Sequence, residues 1–582
     1  MGASRLRRTL TYLRPHRRAV LLGAAALVVV NLLGVSLPLL VRQSVDGLHR
    51  GFAAGDVLRG AGVIVALASV MGLVRLWSRM LVFGVGRQVE ADLKQRIFDH
   101  LLRQEPGWVQ EIGSGEVISR ATSDVENVRR LLGFAVLSLT NTALAYALTL
   151  PAMLAIDPLL TVAAVGLYPL MLLTVRLFGG RMMSQQRQQQ EALARLSDLI
   201  QEDLSGVSAI KIYGQEAMEQ QAFEGRNLRY RDAALQLGRT RSTLFPLLEG
   251  IASISLLLLL AIGSGQLESG RLSIGDLVAL ILYVERLVFP TALLGFTLNS
   301  FQTGQVSLDR IEALLQRRPL VASPAQPQPP ARPARGRIEA RGLRVQYPGA
   351  RRPTLEDLSF RIDPGELVAV VGPVGCGKTT LARALGRLVP LDAGQLFLDG
   401  VDLTALDLAA LRAQVALVPQ EGFLFTASLA DNLRYGEPEA PLERVELASR
   451  RARLEADVRG FPDGYDTLVG ERGITLSGGQ RQRTALGRAL LVEAPLLVLD
   501  DALASVDNQT AAAILAEVRQ QRDRTVLMIS HQLSAAAACD RILVLEAGRL
   551  VQEGHHRELL AVPGPYRRLW EREQAERLQQ AA

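Results

Sequence analysis

Residues 19–41 run through 23 positions without a single charge, and no other feature limits the fold as strongly. A helix of that length crosses a hydrocarbon layer of ~30 Å, and in lipid only a helix or a closed barrel satisfies its own backbone. Further apolar runs near 57–85, 133–156, 159–178, 244–263 and 277–301 bring the number of expected spans to six. Short and long connections alternate between them, so both ends of the membrane part face the same side. Arg5, Arg7, Arg8, Arg14, Arg17 and Arg18 precede the first run and resemble the charged head of a signal peptide. The run is longer than the usual ~7 to 15 residues of such a segment, which favours a retained anchor.

Composition supports a membrane part. Of 582 residues, 48% are hydrophobic and 21% charged, too apolar for a disordered or coiled-coil chain. The length gives a prior of about four globular units, or fewer larger ones. Cys376 and Cys539 are the only cysteines, which leaves no disulfide scaffold and no clustered cysteine metal site, and points to a cytosolic redox environment. A net charge of +7 is compatible with nucleic-acid binding, but the positions of the basic residues give another reason for it. Residues 86–132 hold seven Arg and Lys and residues 179–241 hold nine, whereas the three short connections hold only Arg42, Arg50 and Arg271. Cytoplasmic loops carry such an excess, so both termini are expected in the cytoplasm and no nucleic acid is expected as a partner.

After Leu315, Pro319, Pro324, Pro327, Pro329, Pro330 and Pro333 interrupt any regular helix and mark a semi-rigid linker. Beyond Ile338 short β-like runs alternate with helical patterns, as in a soluble α/β domain. The organisation expected is an N-terminal arm (1–18), a six-helix membrane domain with long cytoplasmic extensions (19–318), a Pro-rich linker (319–337) and an α/β domain (338–582).

Within that last domain, the strand-like run 367–371 leads into Gly372-Pro-Val-Gly375-Cys376-Gly377-Lys378-Thr379-Thr380, which fits G-x-x-x-x-G-K-[ST] between a strand and a helix. Glycines there let backbone N–H groups turn toward phosphate oxygens at a helix N-terminus. Lys378 is suited to the outer phosphates and Thr379 to Mg2+. The chain has only three lysines, Lys94, Lys211 and Lys378, among 65 basic residues, so a chain biased to arginine has a compact ammonium here. The apolar run 496–500 ends in Asp500, as a second Mg2+-holding element does. Between the two lies Leu476-Ser477-Gly478-Gly479-Gln480.

Taken together these three elements resemble the ATP-binding cassette family, and six spans followed by one cassette resemble a half-transporter of its exporter class. The fold implied is a polytopic α-helical membrane domain of six transmembrane helices followed by an α/β P-loop nucleotide-binding domain, with ATP and Mg2+ bound. The resemblance also implies roles for single residues: Tyr347 stacks on adenine, Gln420 reaches Mg2+ or the attacking water, and His531 contacts the terminal phosphate. Ser477, Gly478, Gly479 and Gln480 close over ATP held by another cassette, which makes a second half-transporter a partner. The segment 467–473, TLVGERG, resembles an exporter-specific loop. Segments 113–124 and 204–216 resemble the family's coupling segments, which dock on cassettes.

The chain departs from the family at Asp501, where most cassettes have glutamate to polarise the attacking water, and at Ala504, where serine is usual. One methylene fewer withdraws the carboxylate by ~1.5 Å, and misplacement by ~1 Å can cost on the order of 10²-fold in rate. A slow site of its own beside an intact signature resembles the weak-site subunit of heterodimeric exporters. Tolerated variation in an active homodimer is the competing reading. Arg75, Arg79, Arg176, Glu249, Glu285 and Arg286 are charges within or beside apolar runs and are candidate cavity residues for a hydrophobic, lipid-like or peptide substrate, with membrane lipid around them. An ATP-gated channel or regulatory receptor on the same scaffold is the rival function.

Overall fold

The computed structural model describes residues 11–50, 54–470, 473, 475–520 and 523–581. The expected topogenic Arg5, Arg7 and Arg8, and Glu471 and Arg472 of the exporter-like loop, lie outside the described residues. The chain forms two compact units, one of Met1–Leu101 and Gly113–Arg317, the other of Leu102–Ile112 and Arg318–Ala582.

The first unit contains six helices long and apolar enough to cross a membrane among the described residues: Arg17–Gly47, Val57–Leu101, Ser114–Ile156, Pro158–Ser205, Glu216–Glu268 and Ile274–Leu315. The five after the first are 42 to 53 residues long, about twice what a bilayer requires, so each span continues into a polar extension. The core forms where Tyr168, Met171, Leu259, Leu280, Tyr283 and Leu287 are buried together. Backbone carbonyls that apolar surroundings leave without water receive side-chain donors from neighbouring helices: Tyr168 donates to the Val284 carbonyl at 2.8 Å and Tyr283 to the Val35 carbonyl at 2.7 Å. At Gly304 a Cβ atom would lie 2.4 Å from Leu131 Cβ, so the last helix approaches the third as closely as only glycine permits.

Of the six candidate cavity charges, Arg286 alone is half-buried, donating to Asn31 Oδ1 at 3.2 Å. Arg75, Arg79, Arg176, Glu249 and Glu285 are exposed on this chain. The first reversal lies just ahead of 113–124, the segment that resembles a coupling segment. A short helix spans Pro106–Ile112, started by a proline at its first position, and Gly113, at φ 77°, opens the returning helix that contains 114–124. The second reversal does fall within 204–216, as the short helix Val207–Tyr213, closed by Gly214 in the left-handed region. Its Ile212 and Tyr213 are exposed.

Among the described residues the second unit holds ten strands: β1 (Ile338–Val345), β2 (Leu355–Ile362), β3 (Leu367–Val371), β4 (Leu396–Leu398), β5 (Val401–Asp402), β6 (Val415–Val418), β7 (Leu496–Asp500), β8 (Thr525–Ile529), β9 (Arg541–Glu546) and β10 (Arg549–Gly554). A four-stranded antiparallel sheet has the order β2-β1-β4-β5, and a six-stranded sheet the order β10-β9-β3-β8-β7-β6. In the larger sheet β3, β9, β8, β7 and β6 run parallel. β3, β7 and β8 are buried at every position, as continuous apolar runs covered on both faces require. The Pro-rich segment lies along this unit, with the Gln328 N–H on the Ala405 carbonyl at 2.8 Å and Ser323 Oγ on Asp407 at 2.8 Å.

Candidate functional site

In an open parallel sheet, ligands bind beyond the carboxyl ends of the strands, and strand order decides which loops meet there. β3, β8, β7 and β6 are consecutive neighbours. The loop after β3 begins at Gly372, His531 follows β8 by two residues, Asp500 ends β7 with Asp501 next to it, and Gln420 follows β6 by two. Residues more than 150 positions apart in sequence thus stand side by side along one sheet edge.

The loop 372–378 folds as it does because its backbone takes conformations that side chains resist. Gly372 and Gly377 have φ 153° and 104°, and a Cβ on either would lie 2.1 Å from the Leu545 carbonyl oxygen or 2.9 Å from that of Thr354. Gly377 caps the helix Lys378–Leu385 without a side-chain hydrogen bond, so the first N–H groups of that helix face the loop. Lys378 is buried, and its ammonium donates to the Gly372 and Pro373 carbonyls at 2.8 and 3.0 Å, with Cys376 Sγ at 3.7 Å. Backbone donors, a helix N-terminus and a folded-back ammonium form a cradle for phosphate.

Thr379 Oγ1 donates to Asp500 Oδ1 at 3.1 Å. Asp500 is buried; burial lifts its carboxyl above the usual carboxylate range, the Thr379 hydrogen bond pulls it back, and the neighbouring Asp501 pushes it up again. A carboxylate whose charge is disfavoured beside a hydroxyl is a hard-oxygen pair suited to a divalent cation, and the two residues fit Mg2+.

Asp501 sits in the left-handed region at φ 50° and is buried. Its N–H donates to the Ile529 carbonyl at 2.9 Å, and its Oδ1 accepts the His531 N–H at 3.3 Å. The carboxylate is therefore bound to the start of the His531 segment. His531 itself is exposed, as is Gln420. The Tyr347 hydroxyl is 3.2 Å from Thr380 Oγ1, which brings the ring to the helix that follows the cradle.

Ser477, Gly478, Gly479 and Gln480 stand at a different helix N-terminus, that of Gly478–Leu491. Ser477 Oγ accepts the Gln480 N–H at 3.3 Å and Gln480 Oε1 accepts the Ser477 N–H at 2.9 Å, a reciprocal cap. Gln480 also donates to Asp457 at 3.0 Å, and the glycines lie against Ser505. Among the described residues, these contacts tie the segment to Asp457 and Ser505 and not to the Lys378 loop. Sequence reasoning missed Gln482, a buried amide that accepts the Ser505 N–H at 2.8 Å and donates to the Asp501 carbonyl at 3.5 Å. Its only signal in sequence is its place one turn inside the helix.

Residues 20–291 match the family described as "ABC transporter transmembrane region" and residues 355–504 the family described as "ABC transporter". The "Multidrug resistance-like ATP-binding protein MdlA" of Escherichia coli (strain K12) is 31% identical over 568 residues, covering 97% of this chain and 96% of that one. An "ATP-dependent lipid A-core flippase" of Burkholderia orbicola (strain AU 1054) is 32% identical over 571 residues, covering 97% and 95%. Among solved structures, a bacterial Atm1-family ABC exporter with ATP bound superposes with a TM-score of 0.79 at 27% identity, covering 96% of this chain and 98% of that one.

Proposed function

This chain belongs to the ABC transporter family, as a transmembrane region fused to a cassette, and from that premise we propose that it is one half of an ATP-driven exporter of amphipathic substrates, lipid-like or peptide, working by alternating access. Its own nucleotide site turns over slowly, and Ser477–Gln480 completes the site of a second, different half-transporter. The observation that carries this reading is the pairing of a short Asp501 carboxylate, engaged by the His531 N–H, with an intact and reciprocally capped signature. Relatives named for multidrug resistance and for lipid A-core flipping support an amphipathic cargo. The arginine excess of the long connections favours a cytoplasmic cassette and an inner-membrane location.

At this chain's own site Gly375, Gly377 and the helix beginning at Lys378 hold the phosphates, the Lys378 ammonium exchanges its loop carbonyls for phosphate oxygens, and Tyr347 presents a ring to adenine. Thr379 and Asp500 would hold Mg2+, and Gln420 would offer it an amide oxygen. Bound Mg2+ neutralises phosphate charge. His531 orients the terminal phosphate. Asp501, engaged by the His531 segment, is poorly placed to take a proton from water. In reconstituted vesicles, ATP-dependent accumulation or flipping of an amphipathic substrate supports the exporter; ATP-gated ion conductance without accumulation sinks it.

A further inference from the structure

Three successive backbone N–H groups carry His531 into place, and each is bonded to a different side chain. His531 N–H donates to Asp501 Oδ1 at 3.3 Å, Gln532 N–H to Ser530 Oγ at 3.0 Å and Leu533 N–H to Glu573 Oε2 at 2.8 Å. The first two acceptors belong to the sheet edge that forms the nucleotide site. The third comes from the C-terminal helix Pro565–Ala581, 40 residues further along the chain. Gln532 heads the short helix Leu533–Ala536 and makes no side-chain cap of its own, so Glu573 caps that helix from another element.

The helix that brings Glu573 is firmly seated. Tyr566 is fully buried, its N–H donates to Gln552 Oε1 at 2.9 Å, and its hydroxyl lies 2.7 Å from His556 Nδ1. Trp570 packs against the core and stands edge-on to His556, with ring centroids 4.7 Å apart. Tyr566, Trp570 and Glu573 follow the spacing i, i+4, i+7, so one helix face anchors in the core and presents the carboxylate to Leu533.

We propose that Glu573 is a positioning residue for His531, through which the C-terminal helix sets how firmly this chain's own site holds the terminal phosphate of a nucleoside triphosphate. The proposal rests on the nucleotide-site reading above. Loss of the carboxylate leaves the Leu533 N–H without its cap from the C-terminal helix and frees the short helix to shift, taking His531 with it. The inner phosphates rest on the Lys378 cradle, which Glu573 does not touch. The consequence is selective: triphosphate binding weakens and diphosphate binding does not.

The test uses the full chain in the complex purified from its native membrane, with a photoreactive non-hydrolysable ATP analogue and photoreactive ADP competed by their parent nucleotides, labelling being read on this chain alone. Glu573→Ala is expected to weaken triphosphate binding by about 3- to 10-fold, the loss that one capping hydrogen bond gives, with ADP binding changed by less than about twofold. Glu573→Gln, which keeps an acceptor oxygen, restores triphosphate binding. Equal weakening for both nucleotides, no change for either, or a Gln variant as impaired as Ala overturns the proposal. Absence of labelling of the unmodified chain by either nucleotide overturns the nucleotide-site reading instead.

Discussion

Two helix N-termini in the cassette carry glycine-rich anion-binding motifs, and they are finished in opposite ways. The helix Lys378–Leu385 starts from a left-handed glycine with no side-chain cap, and its lysine folds back onto the loop's own carbonyls. The helix Gly478–Leu491 starts from Ser477 and Gln480, which satisfy one another, and is braced by Asp457. Cap bonds at the first are left for a ligand. At the second, Ser477 and Gln480 fix the backbone before any ligand arrives, and among the described residues no side chain accepts from the Gly478 and Gly479 N–H groups. The first terminus carries its own cation, whereas the second is tied to Asp457 and Ser505, and the proposal of a signature lent to a partner rests on that difference.

The largest expected effect breaks the first terminus. Lys378→Ala removes the ammonium and should weaken ATP binding at this chain's own site about 100-fold, at the upper end for a charged hydrogen-bond group. Membrane insertion and thermal unfolding of the nucleotide-free protein should stay as in the parent. Photolabelling of this chain is the measurement, and unchanged labelling means that the cradle is elsewhere. A smaller effect tests the second terminus. Ser477→Ala should lower ATP turnover of the intact complex about 10-fold while leaving ATP affinity at this chain's own site within about twofold. Affinity loss at this chain's own site would place Ser477 in the same site as Lys378. Smaller again, Tyr347→Ala should weaken binding at this chain's own site about 3- to 10-fold and Tyr347→Phe by less than about twofold, because an aromatic face needs no hydroxyl. Equal losses in the two variants would show that the Thr380 contact, and not the ring, matters.

Much of this was legible in the sequence, for reasons that differ by element. The six spans declare themselves because a bilayer demands long, predominantly apolar runs, and the cradle because its glycines and lysine fall within seven consecutive positions. The short helix Pro106–Ile112, just ahead of the coupling-like segment 113–124, was not legible, because a single Pro-Gly pair marks a turn as readily as a helix start. Gln482 and Glu573 were missed for another reason. Each acts through one hydrogen bond to a backbone group distant in sequence, and a glutamine inside a helix or a glutamate on a charged terminal helix looks the same whether or not it makes that bond. The use of Asp501 Oδ1 by the His531 N–H was likewise hidden, although the short side chain at 501 was plain. Sequence displays motifs that are contiguous; it conceals contacts that the sheet order creates.

The division between a slow site of this chain's own and a signature lent to a partner is tested most directly by the steady-state ATPase rate of the natively purified complex carrying Asp501→Ala. A positioned general base contributes ~10² to 10⁴ in rate. If Asp501 is engaged in holding the His531 segment and is not the working base, the rate should change by less than about twofold while removal of the partner's corresponding carboxylate nearly abolishes it. A fall of about 100-fold or more in the Asp501→Ala complex, with this chain purifying as a homodimer, would contradict the account.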